Sequence, residues 1–316
     1  MDICIEFERK PVFFSDPLSV ILCTDPSNCA GSFAKMENAV KAGYYVAGFF
    51  SYEAGSCFEE RLRVERQYDF PLIMMGVYKK PRSCLSRAPA RNQFAISGLA
   101  MNITQRDYAS HIEKIRDSIA RGDVYQITYC LKYRFAFRGD PLALYQQLLR
   151  RQPVPYPAYI KTDKFAILSL SPERFIKKQS TRIITEPMKG TWPRGRTRLL
   201  DKRACSRFSR DIKNRAENVM IADLLRNDLG RIAVNVAAPK LFTIAQYKTL
   251  YQMTSTVTAD VPSDMPLYDI FAAVFPSGSV TGAPKIKAMG IIRDLESEDR
   301  KIYTGAIGYI APNRDM

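Results

Sequence analysis

The chain has 316 residues, of which 46% are hydrophobic and 11% aromatic, values typical of a globular protein with a sizeable core. Its longest apolar stretch, residues 43–52, is too short to span a bilayer, and the N-terminus lacks the charged-then-apolar order of a signal peptide. Seven cysteines without Cys-x-x-Cys spacing predict reduced thiols in a cytoplasmic protein. The single histidine, His111, excludes a His-rich metal centre and a Ser-His-Asp or Cys-His nucleophile within the chain.

The formal net charge of +15 has two interpretations, because a basic surface can bind nucleic acid or attract a small anionic substrate. The basic residues are densest at 194–215, where Phe208 is the only aromatic residue, so no base-stacking surface is predicted. We therefore predict that this segment is a mobile, solvated loop and that the protein has no nucleic-acid partner.

In chain order, the first 98 residues alternate short apolar runs with Pro, Asp and Ser, a pattern typical of strands. Strands are predicted at 3–7, 12–14, 20–23, 44–52 and 72–78. A helix is predicted at 32–42. Pro, Ser and Arg interrupt the pattern at 79–98, which predicts a linker or excursion. Residues 1–98 are thus expected to form a β-rich N-terminal part that ends in this excursion.

The second part of the chain, 99–316, opens with a predicted helix. Thr104 and Asp107 have the spacing of a helix N-cap, and apolar residues follow at helical intervals. Further elements are predicted in the order strand 124–137, helix 142–150, strand 158–160 and strand 165–170.

Lys189 lies in the sequence Glu-Pro-Met-Lys-Gly-Thr, between Pro187 and Gly190, and follows Glu173 in Ser-Pro-Glu-Arg-Phe. Pro restricts the backbone and Gly releases it, so we predict that Lys189 lies in a turn. A sheltered Lys near a carboxylic acid can serve as an amine nucleophile paired with a proton donor. The alternative is an ordinary solvated lysine in a surface loop.

The spacing of apolar residues at 215–230 predicts a helix that ends at Gly230. The helix carries several charges in an otherwise apolar segment. Glu217 and Asp228 share a face with two apolar residues, and Asp223 and Arg226 can form an ion pair. Burying a bare carboxylate is unfavourable unless a cation or a donor compensates it. A divalent ion such as Mg²⁺ is one way to compensate Glu217, and a solvated acid on the helix surface is the alternative.

Residues 275–285 form a predicted loop of small residues between helices at 267–274 and 286–295. Hydroxyls and glycines ahead of a helix start can present backbone amides to an anion. The loop is not a Walker phosphate loop, because the G-x-x-x-x-G-K-[ST] spacing is absent.

Together and in this order, the motifs resemble the chorismate-utilising enzymes, a family that includes anthranilate, isochorismate and aminodeoxychorismate synthases. The motifs are SPERF at 171–175, EPMKGTWPRG at 186–195, NRAENVMIADLLRNDLGRIA at 214–233 and FPSGSVTGAPK at 275–285. Residues 43–53 further resemble the N-terminal part of short aminodeoxychorismate synthases. The resemblance implies an α+β fold of two packed, mostly antiparallel sheets flanked by helices, with 99–316 as the chorismate-binding catalytic part.

The resemblance also implies a reaction. Anthranilate synthases carry Ala where this chain has Lys189, whereas a Lys is similar to the aminodeoxychorismate synthases. There the amine attacks C2 of chorismate as the 4-hydroxyl leaves, and ammonia then attacks C4 and expels the Lys. The product is 4-amino-4-deoxychorismate, a precursor of para-aminobenzoate and folate. Glu173 matches the general acid for the departing hydroxyl. Gln126 stands where isochorismate and salicylate synthases place a water-activating Lys, so addition of water is not expected.

The same resemblance implies how the site is completed. Glu217 matches a Mg²⁺ ligand, and the ion would neutralise a substrate carboxylate. Ser279 and Tyr303 match positions that contact chorismate. Gly190 and Thr191 are expected to present backbone near its ring. Ammonia is expected from a separate glutamine amidotransferase subunit, since one isolated histidine cannot supply a Cys-His-Glu site.

Three departures from the family pattern are expected to matter. Gln252 stands where many relatives have His, and Asn214 replaces a common acidic residue. The family is expected to continue past Met316 with an Arg, a Gly-rich stretch and a second metal-binding Glu, so we expect these 316 residues to hold part of the site. Two alternatives therefore stay open, namely a catalytically incomplete fragment that docks the amidotransferase and an anthranilate synthase component.

Overall fold

Helices and strands are interspersed along the chain in the computed structural model, which describes residues 1–64, 66–83 and 93–316. The helices are α1 (Cys29–Lys41), α2 (Gln105–Ala120), α3 (Pro141–Arg151), α4 (Arg198–Arg210), α5 (Ile212–Gly230), α6 (Leu267–Val274) and α7 (Lys285–Leu295). The strands are β1 (Asp2–Phe7), β2 (Lys10–Phe14), β3 (Ser19–Cys23), β4 (Tyr45–Phe50), β5 (Ile73–Tyr78), β6 (Arg82–Ser83), β7 (Phe94–Met101), β8 (Gln126–Ile127), β9 (Tyr133–Gly139), β10 (Tyr156–Lys161), β11 (Ala166–Ser171), β12 (Arg174–Gln179), β13 (Arg182–Glu186), β14 (Met188–Pro193), β15 (Val234–Gln246), β16 (Leu250–Asp260), β17 (Gly282–Ala283) and β18 (Ala306–Ile310). Within the described ranges, none of these helices has the length and apolar character needed to cross a bilayer.

Among the described residues, the strands form three sheets of four or five strands and two two-stranded ribbons. The strand orders are β11-β10-β1-β2-β6, β12-β13-β16-β14 with β15 beside β16, β18-β4-β5-β3, β17-β8 and β7-β9. Neighbouring strands run antiparallel in each of the three larger sheets. The predicted α+β class with mostly antiparallel sheets and flanking helices is therefore confirmed.

Strand β1 shows how sequence periodicity sets the first sheet. Ile3 and Ile5 are fully buried, because successive side chains of a strand point to opposite faces and these two share the inner one. Ile3 pairs with Ile160 of β10, and β4 pairs in the same antiparallel way with β18. The sheets therefore combine strands from residues 1–98 with strands from residues 99–316.

The predicted excursion at 79–98 lies partly outside the described residues, which do not include 84–92. On either side of that gap, β6 occupies Arg82–Ser83 and β7 occupies Phe94–Met101. Strand β7 pairs with β9 and begins before residue 98. The predicted excursion is therefore wrong for residues 94–98, which belong to a strand whose register with β9 is irregular between Ser97 and Ala100.

The single strand predicted at 124–137 is wrong, because the segment is divided into β8 and β9. Between them, the Cys130 N–H donates to the Glu296 carboxylate at 2.9 Å, and the Lys132 N–H donates to the Asn102 side chain at 3.0 Å. Side-chain acceptors, together with backbone bonds to Thr281 and Asn102, satisfy this part of the backbone without a continuous strand.

The basic segment 194–215 is not the solvated loop that its composition predicted, since it forms α4 and the start of α5. The Thr197 hydroxyl caps α4 by accepting a backbone N–H at 3.3 Å, and Asp211 caps α5. Phe208 is fully buried and stacks on Trp192 with ring centroids 5.8 Å apart. One buried aromatic side chain and two caps therefore order a segment whose cations remain largely exposed.

A buried ion pair joins α5 to α7. Lys285 Nζ lies 2.5 Å from Asp228 Oδ2, and the two side chains are only 13% and 8% exposed. Burial lowers the pKa of Lys285, and the Asp228 carboxylate opposes that shift. The pair holds the end of loop 275–285 against α5.

Replacing Lys285 by Met should lower the free energy of unfolding by about 3–5 kcal/mol, because Asp228 would remain as a buried charge without its partner. Chemical denaturation followed by circular dichroism measures this change. The double variant Lys285→Met, Asp228→Leu should recover most of the loss. A single variant as stable as the wild type would contradict the stabilising role of the pair.

Candidate active site

Lys189 lies in strand β14 and not in the predicted turn. This strand pairs with β16, and its register is irregular between Met188 and Thr191. Gly190 permits the irregularity with a φ of +87°, and a Cβ at this position would lie 2.7 Å from Asn214 Oδ1. The Gly that indicated a turn instead marks an irregular strand that approaches α5 closely.

Lys189 is partly buried, and its amine has one hydrogen-bond acceptor among the described residues. Its Nζ donates to the Thr128 hydroxyl at 3.1 Å. Burial lowers the pKa of Lys189, whereas the negative charges of Glu173 and Glu217 act to raise it. The net direction is downward, so the neutral and nucleophilic amine is more populated than in a solvated lysine.

Glu173 lies between β11 and β12 and faces the buried loop before α7. The Ser279 hydroxyl donates to Glu173 Oε1 at 2.5 Å. Burial raises the pKa of Glu173 to about 7, although the Ser279 hydrogen bond, the Lys189 charge and the Met188 N–H act in the opposite direction. A carboxyl with this pKa is protonated over part of the neutral pH range and can act as a general acid.

The loop 275–285 brings Ser279 to this position. Ser279 is buried in a short 3₁₀ turn, and its hydroxyl lies 2.9 Å from that of Ser277. Further along the loop, Gly282 and Ala283 form β17, which pairs with β8. The loop therefore connects the carboxyl group of Glu173 to the strand that carries Gln126.

Glu217 on α5 faces Gln126, whose Nε2 donates to Glu217 Oε1 at 3.3 Å. Gln126 Oε1 is buried and has no hydrogen-bond partner in the described part of the chain. The described residues contain no group of three His, Cys, Asp or Glu side chains that could hold a metal. One carboxylate beside an unpaired amide oxygen fits a Mg²⁺ site in which water and substrate supply the remaining oxygens.

The other predicted substrate contacts lie on β14 and in the turn after α7. Thr191 Oγ1 accepts a hydrogen bond from Gln252 Nε2 at 2.9 Å. Tyr303 is 57% exposed and follows α7 in a turn. Gly190 lies against the Asn214 side chain. Gln252 and Asn214, the two internal departures from the family pattern, therefore each lie beside a predicted site residue.

A cavity of about 820 Å³ opens beside Glu173. Its lining includes Glu173, Ser279 and Tyr303 together with apolar residues of β11, β12 and β18. Lys189 and Glu217 are not among the described residues that line it. The cavity therefore unites the predicted acid with two of the predicted substrate contacts, while the predicted nucleophile lies outside its lining.

Arg300 joins several segments of the site and was not predicted from the sequence. Its side chain is 1% exposed and pairs with Glu296 at 2.7 Å. It also donates to the backbone carbonyls of Thr128 at 2.6 Å and Val280 at 2.7 Å, and its guanidinium lies over the Tyr52 ring. The spacing of Glu296 and Arg300, four positions apart, was the only local signal.

Comparison with known proteins identifies the family. The family model described as "chorismate binding enzyme" matches residues 23–316. The chain belongs to this family of chorismate-binding enzymes.

The similar proteins include two kinds of synthase. Aminodeoxychorismate synthase component 1 of Salmonella typhimurium is 38% identical over 228 residues, which cover 71% of this chain and 50% of that protein. Anthranilate synthase component 1 of Aquifex aeolicus is 37% identical over 219 residues, which cover 68% of this chain and 44% of that protein. The chain thus spans about half the length of these curated relatives. The crystal structure of anthranilate synthase component I from Streptococcus pneumoniae TIGR4 has the same fold, with a TM-score of 0.79 over 100% of this chain and 82% of that one at 23% identity.

Proposed function

We propose that this chain carries the catalytic residues for amination of chorismate at C4, with Lys189 as the nucleophile and Glu173 as the general acid. The observation that carries the proposal is an amine whose pKa is lowered, placed near a carboxyl whose pKa is raised to about 7. Both shifts favour the neutral forms that this chemistry needs near neutral pH.

In the first step, the neutral Lys189 amine attacks C2 of chorismate. The two ring double bonds shift from C1=C2 and C5=C6 to C1=C6 and C4=C5, and the bond between C4 and its hydroxyl oxygen breaks. Glu173 donates its proton to the departing oxygen, which leaves as water. Lys189 is then bonded to the ring through a protonated secondary amine, and Glu173 is a carboxylate.

In the second step, ammonia attacks C4, both ring double bonds shift back and the bond between C2 and Lys189 Nζ breaks. The neutral lysine is restored, and the Glu173 carboxylate takes up the proton that the new amine releases. Chorismate and ammonia thus give 4-amino-4-deoxychorismate and water. Gln126 has no basicity with which to activate water, which supports attack by the amine over hydration at C2.

Glu217 would hold Mg²⁺, with Gln126 Oε1 beside it, and the ion would supply positive charge to a substrate carboxylate. The designation "component 1" that the relatives carry supports a second subunit. We propose that this partner is a glutamine amidotransferase that supplies the ammonia.

A second candidate is amination at C2 to give anthranilate, which the similarity to the Aquifex aeolicus anthranilate synthase component 1 favours. In that reaction ammonia attacks C2 directly, and the Lys189 amine would occupy its approach. The two candidates therefore differ in whether Lys189 forms a bond to the ring.

Incubation with chorismate, Mg²⁺ and ammonium chloride should give 4-amino-4-deoxychorismate, identified by mass spectrometry. The assay uses the 316-residue chain and, in parallel, this chain joined to the C-terminal part of the Salmonella typhimurium relative. Anthranilate as the main product would replace the first candidate by the second. If the extended chain forms neither product, both candidate functions are wrong.

A further inference from the structure

The Thr128 hydroxyl lies between the two groups of the proposed chemistry. Its oxygen accepts a hydrogen bond from Lys189 Nζ at 3.1 Å, and the hydroxyl donates to the Ser279 carbonyl at 3.4 Å. The Ser279 hydroxyl in turn donates to Glu173 Oε1 at 2.5 Å. We propose that Thr128 is a positioning residue that sets the direction of the Lys189 amine for attack on the substrate.

Hydrogen bonds to both the N–H and the carbonyl of Thr128 fix the position of its backbone, from which the hydroxyl extends. The Thr128 N–H donates to the Thr281 carbonyl at 2.7 Å, and the Thr128 carbonyl accepts from Arg300 Nη2 at 2.6 Å. The same guanidinium donates to the Val280 carbonyl at 2.7 Å and pairs with Glu296. The buried Arg300 side chain therefore binds both Thr128 and the loop that carries Ser279.

The direction of the Thr128 hydroxyl determines what it can do for the amine. A hydroxyl has one hydrogen, and here that hydrogen is directed to the Ser279 carbonyl, so the oxygen presents lone pairs to Lys189. Lys189 must therefore donate. A neutral amine with one N–H on Thr128 and one bond to Cε has two directions left for its second hydrogen and its lone pair. The contact thus limits the direction of the nitrogen lone pair and leaves that lone pair free to attack the substrate.

This inference rests on the proposed function, and two variants separate the hydroxyl from the volume it fills. Thr128→Val keeps the shape and removes the hydroxyl, whereas Thr128→Ser keeps the hydroxyl. In the chain extended with the relative's C-terminal part, Thr128→Val should lower kcat about five- to tenfold with KM changed less than about twofold, the size expected for the loss of one hydrogen bond. Thr128→Ser should restore kcat to within about twofold of the wild-type value.

A second measurement needs no turnover. In the chain labelled with ¹⁵N-lysine, NMR at mildly acidic pH reports how fast the Lys189 ammonium hydrogens exchange with water, and Lys189→Arg identifies the signal by its loss. Exchange should be at least about fivefold faster in Thr128→Val than in the wild type or in Thr128→Ser, because the hydrogen-bonded state protects these hydrogens.

The two measurements separate this inference from the function on which it rests. Unchanged exchange in Thr128→Val would overturn the inference, as would an unchanged kcat in an active enzyme. If the wild type forms no product, the proposed function fails, and the exchange rates still decide whether Thr128 positions the amine.

Discussion

Replacing Lys189 by Ala should lower the rate of aminodeoxychorismate formation by about 10³-fold or more, because the variant has no amine to bond to the ring. Mass spectrometry of the product at saturating chorismate and ammonia measures the rate. The fold should persist, since burial already disfavours the charged form of the side chain that is removed. Lys202→Ala, at an exposed position on α4, is the matched control and should keep the wild-type rate.

The product of any residual activity is a further test of Lys189. With its side chain gone, ammonia can approach C2 directly, so the remaining product should shift toward anthranilate. A Lys189→Ala enzyme that still forms aminodeoxychorismate at the wild-type rate would show that the reaction proceeds without a lysine adduct.

Replacing Glu173 by Gln should lower the rate by about 10²- to 10⁴-fold, the range for the loss of a positioned general acid. In the wild type, kcat/KM should fall as the pH rises through about 7, because the protonated carboxyl is then lost. The variant should lack this dependence, since Gln does not titrate. A descending limb that persists in Glu173→Gln would belong to another group.

The same substitution should raise stability at alkaline pH. The pKa of Glu173 is about 7 in the fold and 4.5 for an unperturbed carboxyl, so its ionisation destabilises the fold as the pH rises between these values. At about 1.4 kcal/mol per unit, the full penalty above the folded pKa is at most about 3.5 kcal/mol.

Thermal or chemical denaturation at two pH values tests this expectation. Glu173→Gln should be more stable than the wild type at about pH 8 and equally stable near about pH 4, where the carboxyl is protonated in both states. Asp294→Asn, at an exposed acid on α7, should show no such gain. A Glu173→Gln protein that is less stable than the wild type at both pH values would contradict the assigned cause of the shift.

Much of the helical framework was predictable, because its signals are local. Helix α6 was predicted at the residues where it is observed, and α7 begins one residue before the predicted 286–295. Helix α5 begins earlier than the predicted residue 215 because Asp211 caps it. The predicted pair of Asp223 and Arg226 is confirmed at 2.9 Å, since both residues lie on one helix at a spacing of three.

The surroundings of the amine were not predictable, because they depend on how separate strands pair. Pro187 and Gly190 indicated a turn, yet pairing with β16 holds Lys189 in a strand. Thr128 carries no local signal, since a Thr near a strand is common. Its position beside Lys189 depends on the pairing of β8 with β17 and on the hydrogen bond from Arg300 to its carbonyl.

Four hydrogen bonds of the candidate site span 61, 91, 106 and 172 positions of the chain. Each closes a large loop, and the lost chain entropy must be offset by other contacts before such a bond is stable. None of the four can form within a single hairpin or helix. We therefore expect the candidate site to form late in folding, only after separate strands and helices have packed together.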